Sequence, residues 1–235
     1  MENSKQNTNA QNVDLPSEFS FDTIKDFDSH IELSIPNYKH IWELIKSLSS
    51  YFIVKNSNVY DLGCSTGIGL KLLSFKNKAE NIRFIGYDIS ENLLKDSHNT
   101  KHFSVFNSDI TDENTTFPNA SLILMVFTLQ FLPITKKQGV LKRIYDSLLP
   151  GGGFIICEKT INESGKLQDI FTFSYYDFKE QNFTKDQILS KQYDLRFIMK
   201  NNTDEEITNM IKSVGFKYIE PFFQSLQFKG YLCIK

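Results

Sequence analysis

The sequence predicts an α/β fold: a mostly parallel seven-stranded sheet with helices on both faces, closed by an antiparallel C-terminal hairpin. Three observations lead there. Short apolar runs alternate with helix-patterned stretches from residue 39 onward. Those runs are apolar without a polar face, the pattern of parallel strands buried between two helix layers. The stretch 217–235, "KYIEPFFQSLQFKGYLCIK", offers two strands joined by a short connection, which only an antiparallel pair allows.

Composition bounds the rest. The chain has 235 residues, 40% hydrophobic and 23% charged, enough for one ordinary α/β domain with a real core. No apolar run is long enough to cross a bilayer, and the N-terminus lacks the charged and apolar regions of a signal peptide, so a cytoplasmic protein is expected. Net charge is −2 without a dense Lys/Arg block, which gives no electrostatic footprint for nucleic acid or a membrane surface. Cys64, Cys157 and Cys233 stand too far apart to form a metal-ligand pair, and their apolar or turn contexts predict buried free thiols.

The elements follow in order. Residues 1–16 are polar and are expected to form a disordered tail, leaving 17–235 as a single domain. Residues 19–38 carry helix-like spacing closed by Pro36, and 39–52 place Ile41, Leu44, Ile45 and Leu48 on one helical face. Strands are predicted at 57–63, 81–90 and 101–110, with helices at 67–75 and at 90–99, the latter capped by Ser90. Residues 120–132 hold a strand running into a functional turn. The stretch 135–149 reads as an amphipathic helix, the glycines of 150–153 break it, and a strand follows at 154–160. Residues 161–200 fit no alternation and read as a helical insertion over the open edge of the site. A helix at 203–216 stops at Gly215.

The stretch "VYDLGCSTG", Val59 to Gly67, ends a predicted strand in an aspartate and a glycine turn. In open α/β sheets ligands bind beyond the carboxyl ends of the strands, and such a turn lets backbone approach them closely. The nicotinamide fingerprint G-x-G-x-x-G fails here, because Gly67 and Gly69 are followed by Leu72 at the third position. The phosphate loop G-x-x-x-x-G-K-S/T is absent. A second acidic residue, Asp88, ends the next strand, where it can accept from two ribose hydroxyls, and Asp109 ends the third.

This order of residues resembles the S-adenosylmethionine (SAM) site of the Rossmann-like class I methyltransferases. "LLPGGGFIICEK" and "SVGFKYIE" match that family's later landmarks, and the terminal hairpin is its usual ending. Within it, "FDSHIELSIPNY", "YDLGCSTG", "FTLQFL", "KRIYDSLLPGGG" and "YYDFKEQNFTKDQILSK" resemble the carboxy-SAM synthases of the tRNA wobble-uridine pathway. The resemblance implies a cofactor, SAM, with Tyr38 at the methionine carboxylate. Asp61, Gly63, Cys64 and Ser65 lie under the methionine part, Asp88 and Ile89 at the ribose, and Asp109 and Ile110 at the adenine. It also implies a homodimer to which the insertion contributes.

That family holds an extra carboxylate with an arginine and an asparagine. Here Gln192 aligns with the arginine and Val126, followed by Phe127, with the asparagine. Losing a bidentate arginine partner costs about 2–5 kcal/mol. The sequence therefore points to a SAM-dependent methyltransferase for an unidentified small-molecule acceptor. Two alternatives stay open: a carboxy-SAM synthase using prephenate, with Arg196 one helical turn beyond Gln192 as clamp, and a non-catalytic SAM-binding protein. Methyl transfer needs mainly alignment and desolvation. Glu158, Tyr175 and Tyr176 are the candidate bases, against a structural reading of Glu158 as a satisfied strand-end carboxylate and of the tyrosines as lid packing.

Overall fold

Val59 to Leu62 are buried on both sides of their strand, and that double burial sets the architecture. The computed structural model describes residues 26–76, 80–95, 97 and 99–235. Two helices open it, α1 (Phe27–Ser34) and α2 (Tyr38–Ser49). Strand β1 (Asn58–Leu62) follows, then α3 (Ile68–Lys76), β2 (Arg83–Asp88), the short α4 (Glu91–Leu94), β3 (Phe103–Asn107) and β4 (Ala120–Val126). A single 3₁₀ turn, Leu129–Phe131, leads into α5 (Ile134–Ser147) and β5 (Leu148–Lys159). Helices α6 (Gly165–Lys179), α7 (Lys185–Ile198) and α8 (Asp204–Ser213) precede the hairpin β6 (Tyr218–Ser225) and β7 (Phe228–Ile234).

The seven strands run in the order β3-β2-β1-β4-β5-β7-β6, with β7 antiparallel to both neighbours and the others parallel. Successive side chains of a strand point to opposite faces. Tyr60, Leu62, Ile123, Met125, Phe154 and Ile156 pack in one core that includes α5 and α8 residues such as Leu141 and Ile207. Val59, Leu122, Leu124, Ile155 and Cys157 pack on the other with Ile41 and Ile45 of α2 and Leu70 of α3. All three cysteines are free and buried. The chain order reverses between β1 and β4, which opens a crevice at their carboxyl ends.

Two expectations shift. The helix expected to 99 ends at Leu94, although Ser90 caps it by accepting from the Leu93 N–H at 3.2 Å. Beyond it the chain is held otherwise: the Ser97 hydroxyl donates to the Thr66 carbonyl, and the Asn99 side chain accepts from the Val105 N–H. The glycines expected to separate a helix from a strand lie inside β5, which starts at Leu148. Pairing with the C-terminus holds them there, Gly151 N–H to Lys235 O and Lys235 N–H to Gly152 O. The insertion resolves into α6 and α7, each N-capped by a side-chain hydroxyl, Ser164 and Thr184. The tail call on 1–16 and the first part of the 19–38 helix lie outside the described residues. Among the described residues no helix is long and apolar enough to cross a membrane.

Candidate active site

The carboxyl ends of β1, β2 and β4 open into a cavity of about 680 Å³, roofed by α1, α6 and α7. Its volume is in the range of sites for small ligands. The glycine turn forms the floor. Gly63 has φ +81°, a conformation that side chains with a β-carbon rarely adopt. A β-carbon there would overlap the Thr128 side chain, 2.9 Å from its Cβ. The glycine thus leaves room for the neighbouring turn, beside the space it leaves on the cavity side.

Asp88 closes β2 at the cavity wall. The Ser65 N–H donates to its Oδ2 at 2.7 Å and the Ser90 N–H to its Oδ1 at 2.9 Å. These bonds orient the carboxylate, an acceptor-only group with about four lone-pair sites, toward the cavity. Ser65 itself has φ +53°, a strained conformation for a non-glycine residue. Asp61 also lines the cavity, is only 2% exposed, and is pushed up to about 7 by burial and then by Asp88. A cation beside it would reverse that shift. Burial also raises the Cys64 thiol. Asp109 accepts from the Thr111 N–H at 2.7 Å, and the carbonyl of Ile110 accepts from the Arg143 guanidinium. Asp109, Ile110 and the 73% exposed Ile89 border the same space. Tyr38 faces it from α2.

These residues suit an adenosyl sulfonium: a two-point acceptor for a diol, a buried carboxylate for a cation, and a backbone turn with room for close approach. Val126 and Phe127 line the cavity too. Phe127 has φ +60°, and the turn after it is held from below by Glu158. The Glu158 carboxylate accepts from the Leu129 and Gln130 N–H groups at 2.8 and 2.9 Å. Burial pushes it up to about 8.

The other expected residues land differently. Glu158 is 2% exposed and does not line the cavity. Tyr176 is also off the wall, against Phe173 and Tyr175. Tyr175 does line it, but its hydroxyl donates to the Ser34 carbonyl at 2.8 Å, tying α6 to α1. Gln192 does not line the cavity, whereas its neighbour Lys191 does. Neither is Arg196 on the wall; it lies over the Tyr193 and Phe197 rings.

Sequence reasoning missed three groups. Thr66 donates to Asp28 of α1 at 2.8 Å, joining roof to floor. Trp42 of α2 lies where a side chain on Gly69 would go, so that glycine lets α2 pack on α3. Lys159, Lys179 and Lys191 gather at the Tyr175 end of the cavity. All three lysines sit inside the quoted stretches "LLPGGGFIICEK" and "YYDFKEQNFTKDQILSK", and only their convergence is hidden in the sequence.

A family profile described as a methyltransferase domain matches residues 60–154. The chain is similar to the carboxy-S-adenosyl-L-methionine synthase of Staphylococcus epidermidis, with 33% identity over 217 residues, 91% of this chain and 94% of the relative. It is similar to the enzyme of the same name from Desulfotalea psychrophila, with 31% identity over 241 residues and 98% of each chain. Among solved structures, human N-acetylserotonin methyltransferase in complex with SAM shares the fold at 18% identity and a TM-score of 0.52, over 76% of this chain and 47% of that one.

Proposed function

Since this chain belongs to the carboxy-S-adenosyl-L-methionine synthase family, within the class I SAM-dependent methyltransferases, we propose that it transfers the methyl group of SAM to a small-molecule acceptor. The observation that carries the choice of methyl transfer is Val126. It stands on the cavity wall at the position where the resembled synthases have an asparagine, and it offers no hydrogen bond to an added carboxylate. SAM supplies a carbon activated by its sulfonium. The residues of this chain then have three tasks: Asp88 and the glycine turn set its position, Asp61 faces its positive charge, and the roof of α1, α6 and α7 keeps water from the reacting atoms.

A second reading, carboxy-SAM synthesis, draws support from the names of relatives that match nearly the whole chain. One measurement separates the two. The purified chain is heat-denatured and the released nucleoside weighed by mass spectrometry. Release of SAM or S-adenosylhomocysteine is the expected result. Carboxy-SAM would decide for the second reading, and absence of any adenosyl sulfonium or thioether, with no binding of added SAM, would overturn both.

A further inference from the structure

The chain passes from β3 to β4 without a helix, and one face of β2 and β3 stays uncovered. Arg83, Ile85 and Tyr87 alternate along β2 on that face, beside Ser104 and Phe106 of β3. A second cavity of about 280 Å³ lies over them, and among the described residues it shares only Tyr87 with the first. It has room for one small ligand.

The two ends of this cavity differ. At one, Tyr87 and Phe106 are paired across the strands, with ring centres 6.0 Å apart. Tyr60 extends the ring surface, stacked 6.1 Å from Tyr87, and its hydroxyl donates to the Pro118 carbonyl at 3.0 Å. Phe106 is 49% exposed. A single exposed phenylalanine needs no explanation, but neighbouring rings in one cavity present a surface on which a planar ring system stacks.

At the other end are Arg83, Lys101 and His102. The Phe84 N–H donates to the His102 carbonyl at 2.7 Å, which holds the starts of β2 and β3 side by side. Among the described residues no carboxylate lines the cavity, and no salt bridge engages Arg83 or Lys101. A cleft lined by one sign of charge draws the opposite sign. The strand rises about 13 Å from Arg83 to Tyr87, so a ligand meeting both is planar at one end and anionic at the other.

We propose that this cavity binds a free mononucleotide, with its base on the Tyr87 and Phe106 rings and its phosphate at Arg83 and Lys101. A polynucleotide strand needs a longer basic track, and the chain has a net charge of −2 without a dense Lys/Arg block. The site stands independently of the reading of the first cavity.

The test is calorimetric titration of the full chain at low ionic strength, with saturating S-adenosylhomocysteine to occupy the first cavity. AMP and UMP are the probes, compared with adenosine, inorganic phosphate and an oligouridylate. At least one mononucleotide should bind saturably, and adenosine and phosphate at least about tenfold more weakly. Phe106→Ala should weaken it about fivefold or more, as for loss of base stacking, and Arg83→Met about tenfold or more, as for loss of a charge-assisted bond. Both side chains are exposed, so neither variant disturbs the core. Saturation by neither mononucleotide overturns the proposal, as does unchanged binding in either variant. Adenosine or phosphate binding as tightly as the nucleotide also overturns it, and oligouridylate binding more tightly than UMP replaces the free nucleotide by a strand.

Discussion

The Thr66 hydroxyl donates to Asp28 across 38 residues of sequence, at 2.8 Å to one carboxylate oxygen and 3.1 Å to the other. It fastens α1, a helix with no buried residue of its own, over the glycine turn. The second fastening is the bond from Tyr175 to Ser34. A cofactor bound under α1 is expected to leave through opening of these contacts. Thr66→Val keeps the shape and removes the donor. A hydrogen bond to a charged group contributes about 1.5–3 kcal/mol, so SAM should dissociate about tenfold faster or more. Stopped-flow displacement reads this directly, and an unchanged rate would show that α1 does not gate the site.

Asp88→Ala should weaken SAM binding by at least about a hundredfold, because two hydroxyls lose a charged acceptor. The Ser65 and Ser90 N–H groups lose theirs as well, so the turn loosens. Calorimetry on the folded variant is the check, and wild-type affinity would remove Asp88 from the site.

Gly63→Ala should destabilise the fold by about 2–4 kcal/mol, combining overpacking with an unfavourable positive φ. The clash is with Thr128, so Thr128→Ala should return part of the loss when combined with it. Urea unfolding of the two single variants and the double measures that coupling. Strict additivity would show that Thr128 yields without cost.

SAM affinity should depend on pH through Asp61. Its pKa of about 7 means that below pH 7 the carboxyl is mostly neutral. Binding a cation favours the charged form, so protonation must be undone first and affinity falls by up to about tenfold per pH unit below 7. Above 7 the carboxylate is already ionised and this dependence vanishes. Near pH 7 binding should release a proton, seen as a buffer-dependent heat in calorimetry. Asp61→Asn should abolish the release.

The sequence by itself determined the seven strands, their parallel majority, the terminal hairpin and the acidic residues at the ends of β1 and β2. These are short-range properties. An apolar run with a turn after it reads the same in any context, and a residue at a strand end stays there when the sheet forms. Tertiary structure decided what those ends face. Lys159 and Lys179 lie on a strand and a helix, and only packing turns both toward one ring, Tyr175, on the wall of the cavity that Lys191 also lines. Lys191 and Gln192 differ by one position, yet one step on a helix is a rotation of about 100°, enough to put the lysine on the cavity and the glutamine off it. Glu158 looks like a site carboxylate in one dimension. It becomes a structural one because the Leu129 and Gln130 N–H groups, from the turn that follows the neighbouring strand β4, fold down onto it. Gly63 marks the boundary between the two kinds of knowledge. The need for a glycine at the turn is local, and the side chain that fills the space beside it, Thr128, arrives from a turn more than sixty positions away.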